Sequence, residues 1–180
     1  WEVLVEQSQE SESASIDWAS RVLAGRGFDT VMRLPADIPL VEPRDIDELI
    51  SIELESHAAV LVPSREGTGT NAITRVPPDL FPSCFGPNSL ALHKQEAARV
   101  GVECLIVNYA RIALDIDEPA DLKVLLEAGG GSQTLSMLGE MRVGDRVGLT
   151  EPTSMKYQER IQPGSLPAIG SESMAAEDEC

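Results

Sequence analysis

Short apolar segments alternate with amphipathic segments along most of this chain, and this alternation constrains the fold more than any other feature. Five segments have the short apolar character of strands: residues 3–5, 30–34, 58–62, 104–107 and 111–114. Five others space their apolar residues as helices do: residues 16–24, 43–54, 89–99, 119–126 and 134–143. Such alternation is typical of a parallel sheet covered by helices. We therefore predict an α/β fold of three α/β/α layers, with a mostly parallel sheet and helices on both faces.

A domain boundary is predicted near residue 150, where the periodic pattern ends. Residues 150–180 are rich in Pro, Ser, Gly and Glu, and this composition predicts a disordered acidic tail. Residues 1–149 then form one domain that is large enough for a core of aliphatic side chains. Because the chain lacks an initial Met and begins directly in a predicted strand, we expect that the amino-terminal part of this domain is missing.

The strongly acidic composition limits the classes of partner. The formal net charge is -16, from 30 acidic and 14 basic residues, and this disfavours nucleic acid, whose phosphates need a basic face. A mononucleotide site in which carboxylates hold Mg²⁺ is compatible with the same charge. No apolar run approaches the roughly 18 residues of a membrane span, and the three cysteines match neither a zinc motif nor a disulfide framework. We therefore expect a cytoplasmic protein with no membrane partner.

Two glycine-containing segments are candidate anion sites. Residues 65–72, Arg-Glu-Gly-Thr-Gly-Thr-Asn-Ala, follow the predicted strand at 58–62, and successive N–H groups in such a turn form a concavity for anions. Residues 85–89 lead into a predicted helix that Ser89 is expected to cap, and a helix N-terminus also favours anions. A plain surface turn and a plain capped helix would have the same compositions, so both interpretations stay open for each segment.

Three aspartates follow predicted strands, where the ligands of α/β proteins bind. Asp37 lies between two prolines, and a turn residue that bonds its own backbone is the alternative. Asp115 and Asp117 flank Ile116, so on an extended backbone both carboxylates point the same way and favour a shared cation. Capping of the following helix is the alternative for Asp117. Of the basic residues, Arg65 and Lys94 are candidates for phosphate contacts, and neither histidine is assigned a role.

Four segments taken in this order resemble the 2-phospho-L-lactate or phosphoenolpyruvate guanylyltransferase family of coenzyme F420 biosynthesis: residues 34–40, 67–72, 85–89 and 114–117. The resemblance covers residues 1–128 and implies a Rossmann-like nucleotidyltransferase fold. It further implies that GMP passes from GTP to phosphoenolpyruvate, 2-phospho-L-lactate or 3-phosphoglycerate, with release of pyrophosphate. A homodimer is the assembly that it makes plausible.

The same resemblance implies roles for individual residues. The catalytic residues that bind Mg²⁺ would be Asp37, Asp115 and Asp117. The contacts to the phosphorylated acid would be Thr70, Gly86 and Ser89. Asp17 stands where the family often has an Asn that contacts the nucleotide, and its carboxylate can accept hydrogen bonds from the N–H groups of guanine.

Besides Asp17 in place of that Asn, the chain departs from the family in two further respects. A basic loop that holds the triphosphate is not found in this sequence, and the residues after Gly131 lie outside the resemblance. Two alternatives therefore remain beside the guanylyltransferase: a nucleotidyltransferase for another substrate, such as a molybdopterin or a sugar, and a degenerate nucleotidyltransferase-like module that binds without catalysis.

Overall fold

The computed structural model describes residues 2–148, which form a four-stranded sheet and six helices. The strands are β1 (Val31–Arg33), β2 (Ala58–Pro63), β3 (Thr70–Val76) and β4 (Cys104–Ile106). The helices are α1 (Glu12–Gly25), α2 (Pro43–Ile50), α3 (Ser89–Arg99), α4 (Pro119–Ala128), α5 (Gln133–Glu140) and α6 (Val143–Arg146). The predicted tail at residues 150–180 lies outside the described residues.

The sheet is mixed, with the strand order β1-β3-β2-β4. Strand β3 is antiparallel to both of its neighbours, and only β2 and β4 pair in parallel within the described sheet. The prediction of a mostly parallel sheet is therefore wrong. Its error lies at residues 70–76, which form a central strand and were not predicted as one. Because the connection at residues 64–69 is short, β2 and β3 can pair only as a hairpin.

Two apolar cores lie on opposite faces of the sheet, because side chains alternate along a strand. Val60 and Val62 of β2 belong to the first core, together with Leu49 of α2. Leu61 of β2 belongs to the second core, together with Ala97 of α3. Each of these residues is at most 3% exposed. The structure is thus of the α/β class, with the cleft-forming loops attached to a firmly buried central hairpin.

Several local predictions are corrected. Residues 3–5 form no strand, and Val3 and Val5 are 81% and 79% exposed, so no neighbouring strand covers them. Residues 111–114 also form no strand, because the N–H groups of Ile112 and Ala113 donate to the carbonyl of Tyr109 in a turn. In the part of the chain that the structure describes, neither of these two short apolar segments has the pairing partner that makes a strand. None of the helices in residues 2–148 is long and apolar enough to span a membrane.

The helices α2, α3 and α4 begin at the predicted residues, whereas α1 begins four residues earlier than predicted and the caps of α1 and α4 differ. Ser11 caps α1 and accepts a hydrogen bond from the N–H of Ala14, whereas Ser15 and Asp17 lie within the helix. Glu118 precedes α4 and forms a reciprocal pair of bonds with the third helical residue. Asp117 is therefore not the cap of α4, and its carboxylate does not cap the helix.

Candidate functional site

A cleft of about 590 Å³ lies at the edge of the sheet where β1, β2 and β4 end and β3 begins. The loops that follow the strands form its lining, as expected for an α/β protein. The lining includes all of the predicted site residues except Asp17, namely Asp37, Thr70, Gly86, Ser89, Asp115 and Asp117. Residues from four separate segments of the sequence therefore meet at one place.

Part of this lining consists of Asp37, Asp115 and Asp117, which we call the carboxylate side. The N–H of Ile116 donates to the carbonyl of Asp37 at 3.1 Å, so the loop after β1 lies against the segment after β4. Asp117 has a raised pKa, because of partial desolvation and then because of the negative charges of Asp115 and Asp37. Asp117 is thus close enough to Asp115 and Asp37 to be repelled by both.

The carboxylate side is suited to Mg²⁺ that is also bound by phosphate and water, but not to a metal ion whose ligands all come from the protein. Within residues 2–148, no group of three or more His, Cys, Asp or Glu side chains is arranged to hold a metal ion. Magnesium is usually bound by one or two carboxylates together with phosphate oxygens and water, so three protein ligands are not required. The mutual repulsion at Asp117 is the unfavourable term that a cation would relieve. Carboxylates of this kind fit Mg²⁺ when a phosphate supplies further ligands.

Two buried contacts attach the carboxylate side to the rest of the protein. Nε of Arg111 donates to a carboxylate oxygen of Asp45 at 2.7 Å, and Asp45 is 1% exposed at the start of α2. The side-chain amide of Asn71 in β3 donates to the carbonyls of Ile112 and Ala113 at 2.9 and 3.1 Å. These bonds anchor the turn that leads to Asp115. Sequence reasoning missed both contacts because they join residues far apart in the chain.

Three hydroxyl side chains form a second part of the lining, which we call the hydroxyl side: Ser64, Thr70 and Ser89. The N–H of Gly69 donates to Oγ of Ser64 at 2.9 Å, and the N–H of Thr70 donates to Oγ of Ser89 at 2.9 Å. Oγ1 of Thr70 lies 3.0 Å from Nδ1 of His93. Each hydroxyl oxygen is thus held by a neighbour of its own.

The backbone around the hydroxyl side explains the glycines of both candidate anion segments. A Cβ on Gly69 would lie 2.9 Å from Oγ of Ser64, so a side chain there would displace that hydroxyl. Gly86 has a φ of 117°, which favours glycine. Asn88, not Ser89, stands at the cap position of α3, without a side-chain capping bond, and Ser89 is the first helical residue. The hydroxyl of Ser89 therefore faces the start of β3 and not its own helix.

A protein-family model described as "Guanylyl transferase CofC like" matches residues 2–157. The chain belongs to this CofC-like family. A phosphoenolpyruvate guanylyltransferase of Rubrobacter xylanophilus is 38% identical over 67% of this chain and 58% of its own length. A second one, from Conexibacter woesei, is 35% identical over 64% of this chain and 54% of its own length. A 3-phospho-D-glycerate guanylyltransferase of Colwellia psychrerythraea is 30% identical over 62% of this chain and 52% of its own length.

The CofC-like chain spans just over half the length of these curated relatives. Among solved structures, a protein of Desulfovibrio desulfuricans that is described as a nucleotide-diphospho-sugar transferase is similar to it, with a TM-score of 0.59. That similarity covers 78% of this chain and 62% of the other, at 20% sequence identity. This structural similarity supports the α/β fold class. A sequence identity of 20% supports no conclusion about function.

Asp17 of this CofC-like chain lies away from the cleft lining. Its carboxylate accepts the N–H of Ser83 at 3.0 and 3.1 Å and lies 3.4 Å from Arg75. Arg75 is 2% exposed, also donates to Ser20, and has a pKa lowered by burial. Asp17 thus joins α1 to the segment after β3. Its contact with a nucleotide stays a prediction.

Two arginines line the cleft of the CofC-like domain. Arg65, one of the predicted basic residues, lies 3.0 Å from Asp121 and 2.8 Å from Glu66, whereas Lys94 is not part of the lining. Arg33, at the end of β1, pairs with Glu12, and its guanidinium lies 4.3 Å from the ring centre of Phe85. Sequence reasoning missed Arg33, although a basic residue at the carboxyl end of a strand was a usable signal.

Proposed function

We propose that the protein transfers GMP from GTP to a small phosphorylated acid, with release of pyrophosphate, as a step of coenzyme F420 biosynthesis. The acid would be phosphoenolpyruvate, 2-phospho-L-lactate or 3-phosphoglycerate. One observation carries the proposal: the carboxylate side and the hydroxyl side line the same cleft. A triphosphate donor needs neutralisation of charge, and an anionic acceptor needs hydrogen-bond donors. Membership of the CofC-like family supports it, as do the guanylyltransferase activities for which its relatives are named.

Because no three of these side chains in residues 2–148 are arranged to hold a metal ion by themselves, the carboxylate side would hold Mg²⁺ through two of Asp37, Asp115 and Asp117 together with phosphate oxygens. When bound, Mg²⁺ neutralises the charge that develops on the phosphate oxygens during transfer. The bond between Ile116 and Asp37 keeps the two loops in register. Such positioning is most of what a protein contributes to phosphoryl-type transfer.

The hydroxyl side would bind the phosphorylated acid. Thr70 and Ser89 lie side by side, since the N–H of Thr70 donates to the Ser89 hydroxyl. Their hydroxyl groups and the backbone around Gly86 would donate hydrogen bonds to the phosphate or the carboxylate of the acid. Arg33 and Arg65 also line this cleft, where each is paired with a carboxylate of the same lining. The acid oxygen that attacks GTP would then lie between the hydroxyl donors and the carboxylates.

Pyrophosphate release from GTP tests the proposal directly. The protein is incubated with GTP, Mg²⁺ and each of the three acids in turn, and then with ATP, CTP or UTP in place of GTP. We expect release with GTP and one of the acids. Release with another nucleotide would favour a nucleotidyltransferase of different substrate. Calorimetric binding of an acid without any release would favour the non-catalytic binding module.

A further inference from the structure

His93 lies wholly within the protein, at 0% exposure, in the second turn of α3. Its Nε2 accepts the backbone N–H of Cys84 at 2.8 Å, and its Nδ1 lies 3.0 Å from Oγ1 of Thr70. A neutral imidazole carries one donor nitrogen and one acceptor nitrogen. Because a backbone N–H can only donate, Nε2 must be the acceptor. The ring proton is therefore on Nδ1 and is donated to Thr70.

The surroundings keep this imidazole neutral. Burial, and after it the positive charges of Arg75 and Arg33, lower its pKa to about 4, against the opposing charge of Asp17. A second proton would also place an N–H on Nε2, facing the N–H of Cys84 at hydrogen-bond distance. One tautomer is thus favoured at neutral pH.

This tautomer determines what the Thr70 hydroxyl can do. Its oxygen accepts a hydrogen bond from the Nδ1–H of His93, which is the only hydrogen-bond partner of that hydroxyl within residues 2–148. The hydroxyl's own hydrogen is then left to donate, and Thr70 lines the cleft. A donor held in this way selects an oxygen acceptor such as a phosphate or a carboxylate.

We propose that His93 is a positioning residue for the acid site, which holds the Thr70 hydroxyl as a hydrogen-bond donor directed at the anionic acceptor substrate. The proposal rests on the proposed function and deepens it. His93 does not touch substrate and takes no part in proton transfer. It acts through Thr70 alone, and the affinity for the acid, not that for GTP, depends on it.

His93 also supports the local structure, so the test must separate its two bonds. The ring contacts Phe85 edge-on, with the ring centres 4.8 Å apart, and caps the N–H of Cys84. In His93→Gln the side-chain oxygen reaches the position of Nε2 and can still accept from Cys84, but nothing donates to Thr70. In His93→Asn the amide nitrogen takes the position of Nδ1 and can donate to Thr70, but the bond to Cys84 is lost.

Steady-state kinetics and calorimetry of these variants test the proposal. We expect His93→Gln to raise the KM and the Kd for the acid roughly tenfold, with the KM for GTP within about twofold of its original value. We expect His93→Asn to retain acid affinity within about threefold while it melts at a lower temperature. The opposite order, with acid binding lost in His93→Asn and kept in His93→Gln, would show a structural role only and overturn the proposal.

A double-variant comparison tests whether His93 acts through Thr70. Thr70→Val removes the hydroxyl, so adding His93→Gln to it should weaken acid binding by less than about twofold more. A further tenfold loss would overturn the proposal. ¹⁵N NMR of the imidazole should show a proton on Nδ1 at neutral pH, and a proton on Nε2 would overturn it as well.

The outcomes also distinguish this proposal from the proposed function. If the unaltered protein binds the acid but releases no pyrophosphate, the guanylyltransferase activity fails while His93 is still tested by calorimetry. If the unaltered protein is active and His93→Gln equals it, only the positioning role fails. If none of the three acids binds the unaltered protein, both proposals are overturned.

Discussion

The carboxylate side and the hydroxyl side line one cleft but are built in different ways. Thr70 and Ser89 are 5% and 3% exposed, and neighbouring N–H groups hold their hydroxyl oxygens. Asp37 and Asp117 are exposed, and the pKa of Asp117 is raised partly by the like charges beside it. The hydroxyl side is therefore preorganised by the protein itself, whereas the carboxylate side keeps an unfavourable repulsion that a bound cation would remove.

The difference follows from where each side lies in the fold. The hydroxyl side belongs to the β2–β3 hairpin and to α3, and hydrogen bonds of Thr70 with Ser89 and His93 hold these two elements together. The carboxylate side belongs to loops after the two outer strands, β1 and β4. Such loops need long-range contacts to hold them. The ion pair of Arg111 with Asp45 is such a contact, and both of its side chains are largely buried. Four substitutions test this contrast, in order of decreasing expected effect.

The largest effect is expected from Arg111→Gln. Asp45 is 1% exposed and would keep a buried charge without its partner, which costs about 3–5 kcal/mol of unfolding free energy. Urea denaturation followed by circular dichroism measures the loss. Arg99→Gln is the matched control, because its ion pair with Glu96 is on the surface and should contribute less than about 1 kcal/mol. Equal losses in both variants would contradict the anchoring role of Arg111.

Asp115→Asn should abolish most activity and leave the fold intact. The amide has the same shape but no charge, so we expect a fall in the rate of pyrophosphate release of about 10²–10³-fold, the size typical of a lost electrostatic contact to the transition state. Asp47→Asn is the control, since Asp47 is an exposed residue of α2 outside the cleft. Near-normal release by Asp115→Asn would remove that residue from the metal-binding set.

Gly69→Ala should damage the hydroxyl side alone. The added Cβ would lie 2.9 Å from Oγ and 3.1 Å from Cβ of Ser64, so the Ser64 side chain must move. Overpacking of this kind costs roughly 1–3 kcal/mol, and we expect a lower melting temperature with weaker acid binding. The dependence of the rate of pyrophosphate release on the Mg²⁺ concentration should not change. Gly131→Ala is the control, because a Cβ there meets nothing within 4 Å. A changed Mg²⁺ dependence in Gly69→Ala would show that the two sides are coupled.

Asp117→Asn should give the smallest effect, a stabilisation of the free protein. The pKa of Asp117 is raised in the folded state. The folded protein therefore loses stability as the pH rises from the ordinary pKa of the carboxyl group to the raised one. The variant should therefore be more stable at neutral pH by a few tenths of a kcal/mol, about the size expected for exposed charges. Thermal melts between pH 3 and 8 measure this, and the advantage should vanish below the ordinary pKa of Asp, about 3.9. A variant that is less stable at pH 7 would contradict the repulsion.

Much of the candidate site was predictable because polar residues that follow strands share one edge of a sheet. Asp37, Asp115 and the glycine-rich segment each follow an apolar run, and the structure brings them together. Strand β3 was missed because its first residues, Thr70 and Asn71, continue a glycine-rich polar segment. Their burial comes from hydrogen bonds to α3 and to the turn before Asp115, which no local pattern reveals.

The sequence by itself determined the chemistry of the cleft: which residues carry carboxylates, which carry hydroxyls, and near which strand ends they fall. Only the tertiary structure decided how those groups are held. It paired β3 antiparallel in the centre of the sheet and placed Arg33 in the cleft. It also set the tautomer of His93, a residue to which the sequence assigned no role. The physical reason is that strand order, burial and hydrogen-bond partners depend on residues distant in the chain, whereas a side chain's charge and hydrogen-bonding capacity are its own.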